Sequence, residues 1–119
     1  MTGLLATQSR LGGYVVQHRY RVDPALQDRL WPLLAEVRAH ALALGVASFE
    51  IWRSESDPAQ ICEVIGYDSW SHCARLGAKD LPAAMAEVYR QLDALAQDST
   101  EPAQTMRWEP VLPDRTGTA

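Results

Sequence analysis

Residues 13–22, GYVVQHRYRV, alternate along the chain: Tyr14, Val16, His18, Tyr20 and Val22 fall on one side, and Val15, Gln17, Arg19 and Arg21 on the other. That two-residue period predicts a first strand. Asp23-Pro24 follows, an N-cap residue and then the residue best tolerated in a helix's first turn. From there Leu26, Leu30, Leu33, Leu34, Val37, Ala41 and Leu44 return at three- and four-residue steps, which predicts an amphipathic helix ended by Gly45. Residues 46–54, VASFEIWRS, and 60–67, QICEVIGY, are rich in β-branched and aromatic types and are parted by a turn at Ser56-Asp57-Pro58, so they read as a hairpin. In its second strand Ile61, Ile65 and Tyr67 share one face, and Cys62 and Val64 the other. Apolar groups on both faces imply a sheet covered on both sides.

Asp68-Ser69 is a capping pair that opens a short helix running to about Leu76, where Gly77 interrupts it. Asp80-Leu81-Pro82 then starts a longer helix with Met85, Val88, Leu92 and Leu95 as its apolar stripe. QDSTEPAQ breaks that helix, and residues 105–112, TMRWEPVL, form a last edge strand with Pro110 near its end. The order is β-α-β-β-α-β. With right-handed crossovers it gives a ferredoxin-like α+β fold, a four-stranded antiparallel sheet with both helices on one face. No further helix remains for the other face, so a second copy packed sheet to sheet is the simplest cover, and the chain is expected to be a homodimer. Residues 1–11 read as a flexible leader, 12–112 as the single domain and 113–119 as a disordered tail.

Composition narrows the function classes. At 119 residues, 47% hydrophobic and 22% charged, the chain has the balance of one globular domain. Its net charge of −4 argues against nucleic acid, which needs a basic face. No apolar run approaches a membrane span, and the first residues lack the basic start and cleavage site of a secretory signal. The expectation is therefore a cytoplasmic protein with no membrane partner. Cys62 and Cys73 form no C-x-x-C pair and read as reduced thiols, and the histidines at 18, 40 and 72 have no i, i+4 or His-x-x-Glu companion, so no metal is expected.

Four residues carry candidate chemistry. His18 and Tyr20 are two apart on a strand and point the same way, an imidazole beside a phenol on an otherwise apolar face. They can bind a substrate hydroxyl and accept its proton, or be a buried pair satisfied by hydrogen bonds across the sheet. Trp70 stands where a helix packs onto the sheet, as core filling or as a wall that stacks on an aromatic ligand. His72 lies about 200° further round the same helix, at about 100° per residue, and so faces solvent or the dimer seam if Trp70 faces a pocket. Trp52 and Phe49 fall on opposite sides of their strand, which so offers aromatics to both; Phe49 and Ile51 read as filling, and Tyr89 and Trp108 as structural.

Residues 12–112 resemble the antibiotic biosynthesis monooxygenase-like superfamily, the dimeric α+β barrels, in element order, helix-hairpin spacing and the stretch EVIGYDSWSHCARL. FEIWRSESDPAQICEVIGYDSWSHC is also similar to the C-terminal domain of some major-facilitator exporters. The resemblance implies cofactor-independent oxygenation of a small aromatic, polyketide-like or quinol substrate in a pocket between sheet and helices. His18 or a neighbour would remove a proton, Tyr20 and Trp70 would hold the substrate, and His72 would stand nearby. It equally admits a non-catalytic domain that binds a small hydrophobic ligand or a partner. Haem-degrading members share a first-strand asparagine, a tryptophan and a helix histidine that ligates iron. Trp70 and His72 match parts of that pattern, but the chain contains no asparagine.

Overall fold

The computed structural model describes residues 13–96 and 104–109. The leader 1–11, the tail 113–119, most of the QDSTEPAQ break and the end of the last strand around Pro110 lie outside the described residues.

The elements follow in the expected order: β1 (Tyr14–Arg21), α1 (Gln27–Leu44), β2 (Ser48–Arg53), β3 (Gln60–Tyr67), α2 (Trp70–Gly77), α3 (Ala83–Ala96) and β4 (Gln104–Trp108). Asp23 caps as its sequence suggests, its carboxylate accepting from the Ala25 amide at 2.9 Å. The first turn, Pro24–Leu26, is a 3-10 helix, and the α-helix begins only at Gln27. The buried Gln27 amide explains where that helix settles. Its Nε2 donates to the carbonyls of Val22 (3.1 Å) and Pro58 (2.7 Å), and its Oε1 accepts from Arg53 (3.0 Å). One side chain thus ties the end of β1 to the end of β2 and to the turn before β3. An ion pair between Arg21 and Asp57 closes the same corner.

The strands form one antiparallel sheet in the order β2-β3-β1-β4. Register places Tyr14 opposite Tyr67, Val16 opposite Ile65, His18 opposite Glu63 and Tyr20 opposite Ile61. The helix-side face of the central strands is therefore Tyr14, Val16, His18 and Tyr20 with Ile61, Glu63, Ile65 and Tyr67. On it Leu30, Leu34 and Val37 of α1 and Val88, Leu92 and Leu95 of α3 pack with Tyr20, Val22, Phe49 and Ile61 as one buried core. Leu30, Leu34 and Ile61 have no exposed surface. The opposite face, with Val15, Trp52, Cys62, Val64, Met106 and Trp108, is left open by the described residues of a single chain. Trp52 and Trp108 are 59% and 53% exposed there.

Gly45 sets the turn from α1 into β2. Its φ is 115°, and its amide closes α1 on the Ala41 and Leu42 carbonyls at 3.2 Å each. A side chain meets no neighbouring atom at this position, so the cost of adding one is conformational. Gly45→Ala is expected to destabilise the fold by about 1 kcal/mol, the left-handed strain outweighing the entropy removed from the unfolded chain. Urea midpoints of the two proteins check this, and an unchanged midpoint refutes it.

Candidate functional site: a buried carboxylate between two chambers

The hairpin brings Glu63 to the middle of the helix-side face, where the chain offers it almost no water. It is 7% exposed, with Ile61 and Ile65 as its same-face neighbours on β3. A carboxylate in such a place needs a partner. Tyr20 supplies one, its hydroxyl donating to Glu63 Oε2 at 2.7 Å. Tyr20 is also buried, at 6% exposure. His18 lies across the strand pair from Glu63, and its ring stands 5.3 Å from that of Tyr20. On its other side His18 Nδ1 shares a hydrogen bond of 2.9 Å with Thr105 Oγ1 of β4.

Burial is the main cause of the electrostatics. It raises the Glu63 carboxyl above its ordinary range, although the Tyr20 hydrogen bond and the nearby His18 both pull the other way. Tyr20 is pushed far up, first by burial and then by the adjacent Glu63. Tyr89 of α3 is raised for the same two reasons in the same order. The group is thus a carboxylate with a raised proton affinity, held by a phenol that stays protonated across the physiological range.

Two chambers meet at this carboxylate. The larger, of about 280 Å³, lies between the sheet and α1 and reaches the α2–α3 connection; its walls include Leu44, Phe49, Ile65, Tyr67 and Leu76, and His40, Lys79 and Asp80 also line it. The smaller, of about 80 Å³, is enclosed by His18, Tyr20, Leu92, Asp93 and Ala96. Glu63 and Tyr89 line both. The larger volume lies close to the lower end of the range for small-molecule sites. A separate groove of about 560 Å³ on the outer side of the helices, lined by Leu26, Arg29, Leu33 and Leu95, carries no comparable cluster of ionisable groups. Among the described residues no three His, Cys, Asp or Glu side chains gather as metal ligands.

The four residues singled out from sequence divide into two groups. His18 and Tyr20 share a face and a chamber. Trp70 and His72 stand at the Tyr14↔Tyr67 end of the same strands, four residues from the His18↔Glu63 pair, or about 13 Å at 3.3 Å per residue. Trp70 does not fill the core. It is 56% exposed, its ring 5.5 Å from Tyr14 and 5.7 Å from the Arg107 guanidinium. His72 is the more enclosed of the two, with 12% side-chain exposure; the residues do face apart, as about 200° of helix requires, but it is Trp70 that turns to solvent. The cause is local. Ser69 caps α2 by accepting from the His72 amide at 3.1 Å, and the His72 ring folds back so that Nδ1 accepts from the Asp68 amide at 3.0 Å. That ring meets Tyr67 edge-on at 5.8 Å. Burial pushes Tyr67, a wall of the larger chamber, up to about 12.

Glu63 is the functional candidate that sequence reasoning missed. The signal was present: it occupies the position between Ile61 and Ile65 on the two-residue period that carries Ile61, Ile65 and Tyr67.

The raised carboxyl gives a signed expectation. Below the ordinary glutamate range both folded and unfolded states hold the proton, and burial of a neutral acid costs little. As pH rises the unfolded chain releases its proton first, so folding stability falls until the folded carboxyl also ionises. In Glu63→Gln this downward slope, starting near pH 4.5, is expected to vanish while the Tyr20 hydroxyl keeps an acceptor. Denaturant midpoints of both proteins from pH 4 to 8 read the difference, and parallel curves refute it.

No protein-family model matches the sequence, and no curated protein matches it. Solved structures do match in fold. An antibiotic biosynthesis monooxygenase superposes with a TM-score of 0.66 at 11% identity, over 83% of this chain and 99% of its own. Rv0793 from Mycobacterium tuberculosis gives 0.64 at 16% identity, over 86% and 97%. SnoaB, a cofactor-independent oxygenase from Streptomyces nogalater, gives 0.64 at 14% identity, over 84% and 94%. This chain therefore has the ferredoxin-like α+β fold of the antibiotic biosynthesis monooxygenase-like proteins.

Proposed function

We propose that the protein is a cofactor-independent monooxygenase that takes a small phenolic, enolic or quinol substrate into the larger chamber and deprotonates it on Glu63. The observation that carries this reading is the hydrogen bond from buried Tyr20 to buried Glu63 at the chamber wall. A desolvated carboxylate is a stronger base than one in water, and a chamber walled by Phe49, Tyr67 and Tyr89 shields a carbanion from water once the substrate fills it. In the substrate's keto tautomer a C–H bond breaks, its proton passes to Glu63 and its electron pair is delocalised over the ring. The electron-rich anion then reduces dioxygen and forms a C–O bond to give a peroxide; loss of the second C–H proton breaks the O–O bond, leaving a carbonyl and a hydroxide that becomes water on taking up a proton. A CH₂ group and O₂ thus give C=O and H₂O, with no external reductant. The fold's likeness to a cofactor-independent oxygenase supports this reading.

His18 borders only the smaller chamber, which favours Glu63 over His18 as the atom-to-atom proton acceptor. Tyr20 holds the carboxylate's orientation. Trp70 and His72 line neither chamber; on this reading they brace the larger one through Tyr14 and Tyr67. We further take the chain to work in the cytoplasm as a homodimer joined through the open sheet face, where Val15, Val64 and Met106 accompany the exposed Trp52 and Trp108. Those exposed indoles also favour a second reading, a non-catalytic interaction module of the same fold.

Oxygen uptake with a panel of naphthohydroquinones and anthrones separates the two. Glu63→Gln is expected to lower kcat by about 100-fold or more, with a smaller loss for Tyr20→Phe; wild-type rates in Glu63→Gln, or no turnover by the wild type, remove the enzymatic reading. Sedimentation is expected to show a dimer of the 13.2 kDa chain that Trp52→Glu combined with Trp108→Glu dissociates. A wild-type monomer refutes the pairing.

A further inference from the structure

We propose that the smaller chamber is a water-filled proton port, through which Glu63 exchanges its proton with solvent by a route separate from the substrate's chamber. The inference rests on the reading of Glu63 as the base. Its geometry is that of a polar cavity rather than a packing defect. A water needs roughly 10–15 Å³ of space and two to four polar partners. The chamber offers about 80 Å³, with Glu63 and Tyr20 at its inner end, His18 on β1 and Asp93 on α3. It therefore holds a short file of waters with a hydrogen-bonding partner at each step.

The file runs outward. Glu63 and Tyr20 are buried, His18 is half-buried, and Asp93 and Thr105 are exposed. Apolar cover comes from Leu92 and Ala96 on α3. The charged and titratable groups around it are Glu63 from β3, His18 and Tyr20 from β1, and Tyr89 and Asp93 from α3. With Nδ1 of His18 engaged by Thr105, Nε2 is the ring nitrogen left to hydrogen-bond chamber water. When Glu63 holds the substrate's proton, its O–H bond breaks towards the first water. Each water passes on a proton of its own and the last gives one to solvent, so the carboxylate is restored and no electrons move; the hydroxide that leaves in the larger chamber takes one proton back from solvent, which keeps the overall reaction at CH₂ and O₂ to C=O and H₂O. His18 is in this scheme a positioning residue, and Tyr20 keeps one carboxylate oxygen fixed at 2.7 Å.

The Tyr20 hydroxyl reports on the port without any substrate, because it lines the smaller chamber and not the larger. In equal parts H₂O and D₂O, the ¹³Cζ resonance of labelled Tyr20 is a single averaged line when O–H exchange is fast and two lines when it is slow. The wild type is expected to give one line. Ala96→Phe, which fills the chamber, is expected to give two, and Asp93→Leu provides a second, milder block at its exposed rim should the first variant fail to fold. Two lines in the wild type would show a dry chamber and overturn the proposal. One line in every folded variant would show that exchange arrives elsewhere, and would overturn it equally. Neither result depends on turnover, so failure of the base reading is seen separately, in the oxygen uptake of Glu63→Gln.

Discussion

The Glu63 carboxylate lies on the face that the helices cover, and it must be stabilised there by something other than water. Desolvating it costs several kcal/mol before compensation, and one charge-assisted hydrogen bond returns about 1.5–3 kcal/mol. That bond comes from Tyr20, which is 43 residues away in sequence and arrives only if β1 and β3 pair as they do. A slip of one residue would send Glu63 to the open face and bring Cys62 or Val64 inward. The register, the orientation of the hairpin and the docking of α3, which carries Tyr89, against the sheet together enclose this one contact. The Gln27 amide, which ties the end of β1 to the end of β2 and to the hairpin turn, closes the far corner of the same sheet.

From this contact the helix-side face divides into two ends with different chemistry. Around Glu63 the polar groups converge, and their proton affinities are shifted by burial and by one another. Around Tyr14 and Tyr67 the aromatic rings converge instead, with Trp70 on one ring and His72 on the other. His72 spends a ring nitrogen on the Asp68 amide. That is the work of a helix-start residue, and it orients the ring against Tyr67. An acid end and an aromatic wall on one sheet face are what a site for a planar, weakly acidic ring system requires.

Much of this was legible in sequence, for a physical reason. Alternation in GYVVQHRYRV and the leucine spacing of α1 are periodic over many residues, so the elements, their order and the shared direction of His18 and Tyr20 follow from local geometry. Glu63 stayed hidden because a charged residue in a strand is ordinarily solvent-facing, and only a partner in another strand reverses that expectation. Aligning Tyr14 against Tyr67 in the expected strand order would have set His18 opposite Glu63. The setting of Trp70 and His72 was hidden for a different reason. Helical angles relate two side chains to each other, but not to the sheet, and the ring of His72 is turned inward by its bond to the Asp68 amide rather than by its place on the helix.

A general base in a protein faces two opposed demands. It must be dry to hold a proton strongly, and it must reach water to give that proton up. A single closed pocket serves the first and hinders the second. Here one carboxylate lies on the partition between an aromatic-walled chamber and a smaller one edged by His18 and Asp93. The strand supplies that arrangement simply. Glu63 in mid-strand has helix α1 on one side and α3 on the other, and the gap each leaves above the sheet becomes a chamber of different character. If substrate and water enter from opposite sides of the same side chain, closing one chamber around a ligand leaves the other free to clear the proton.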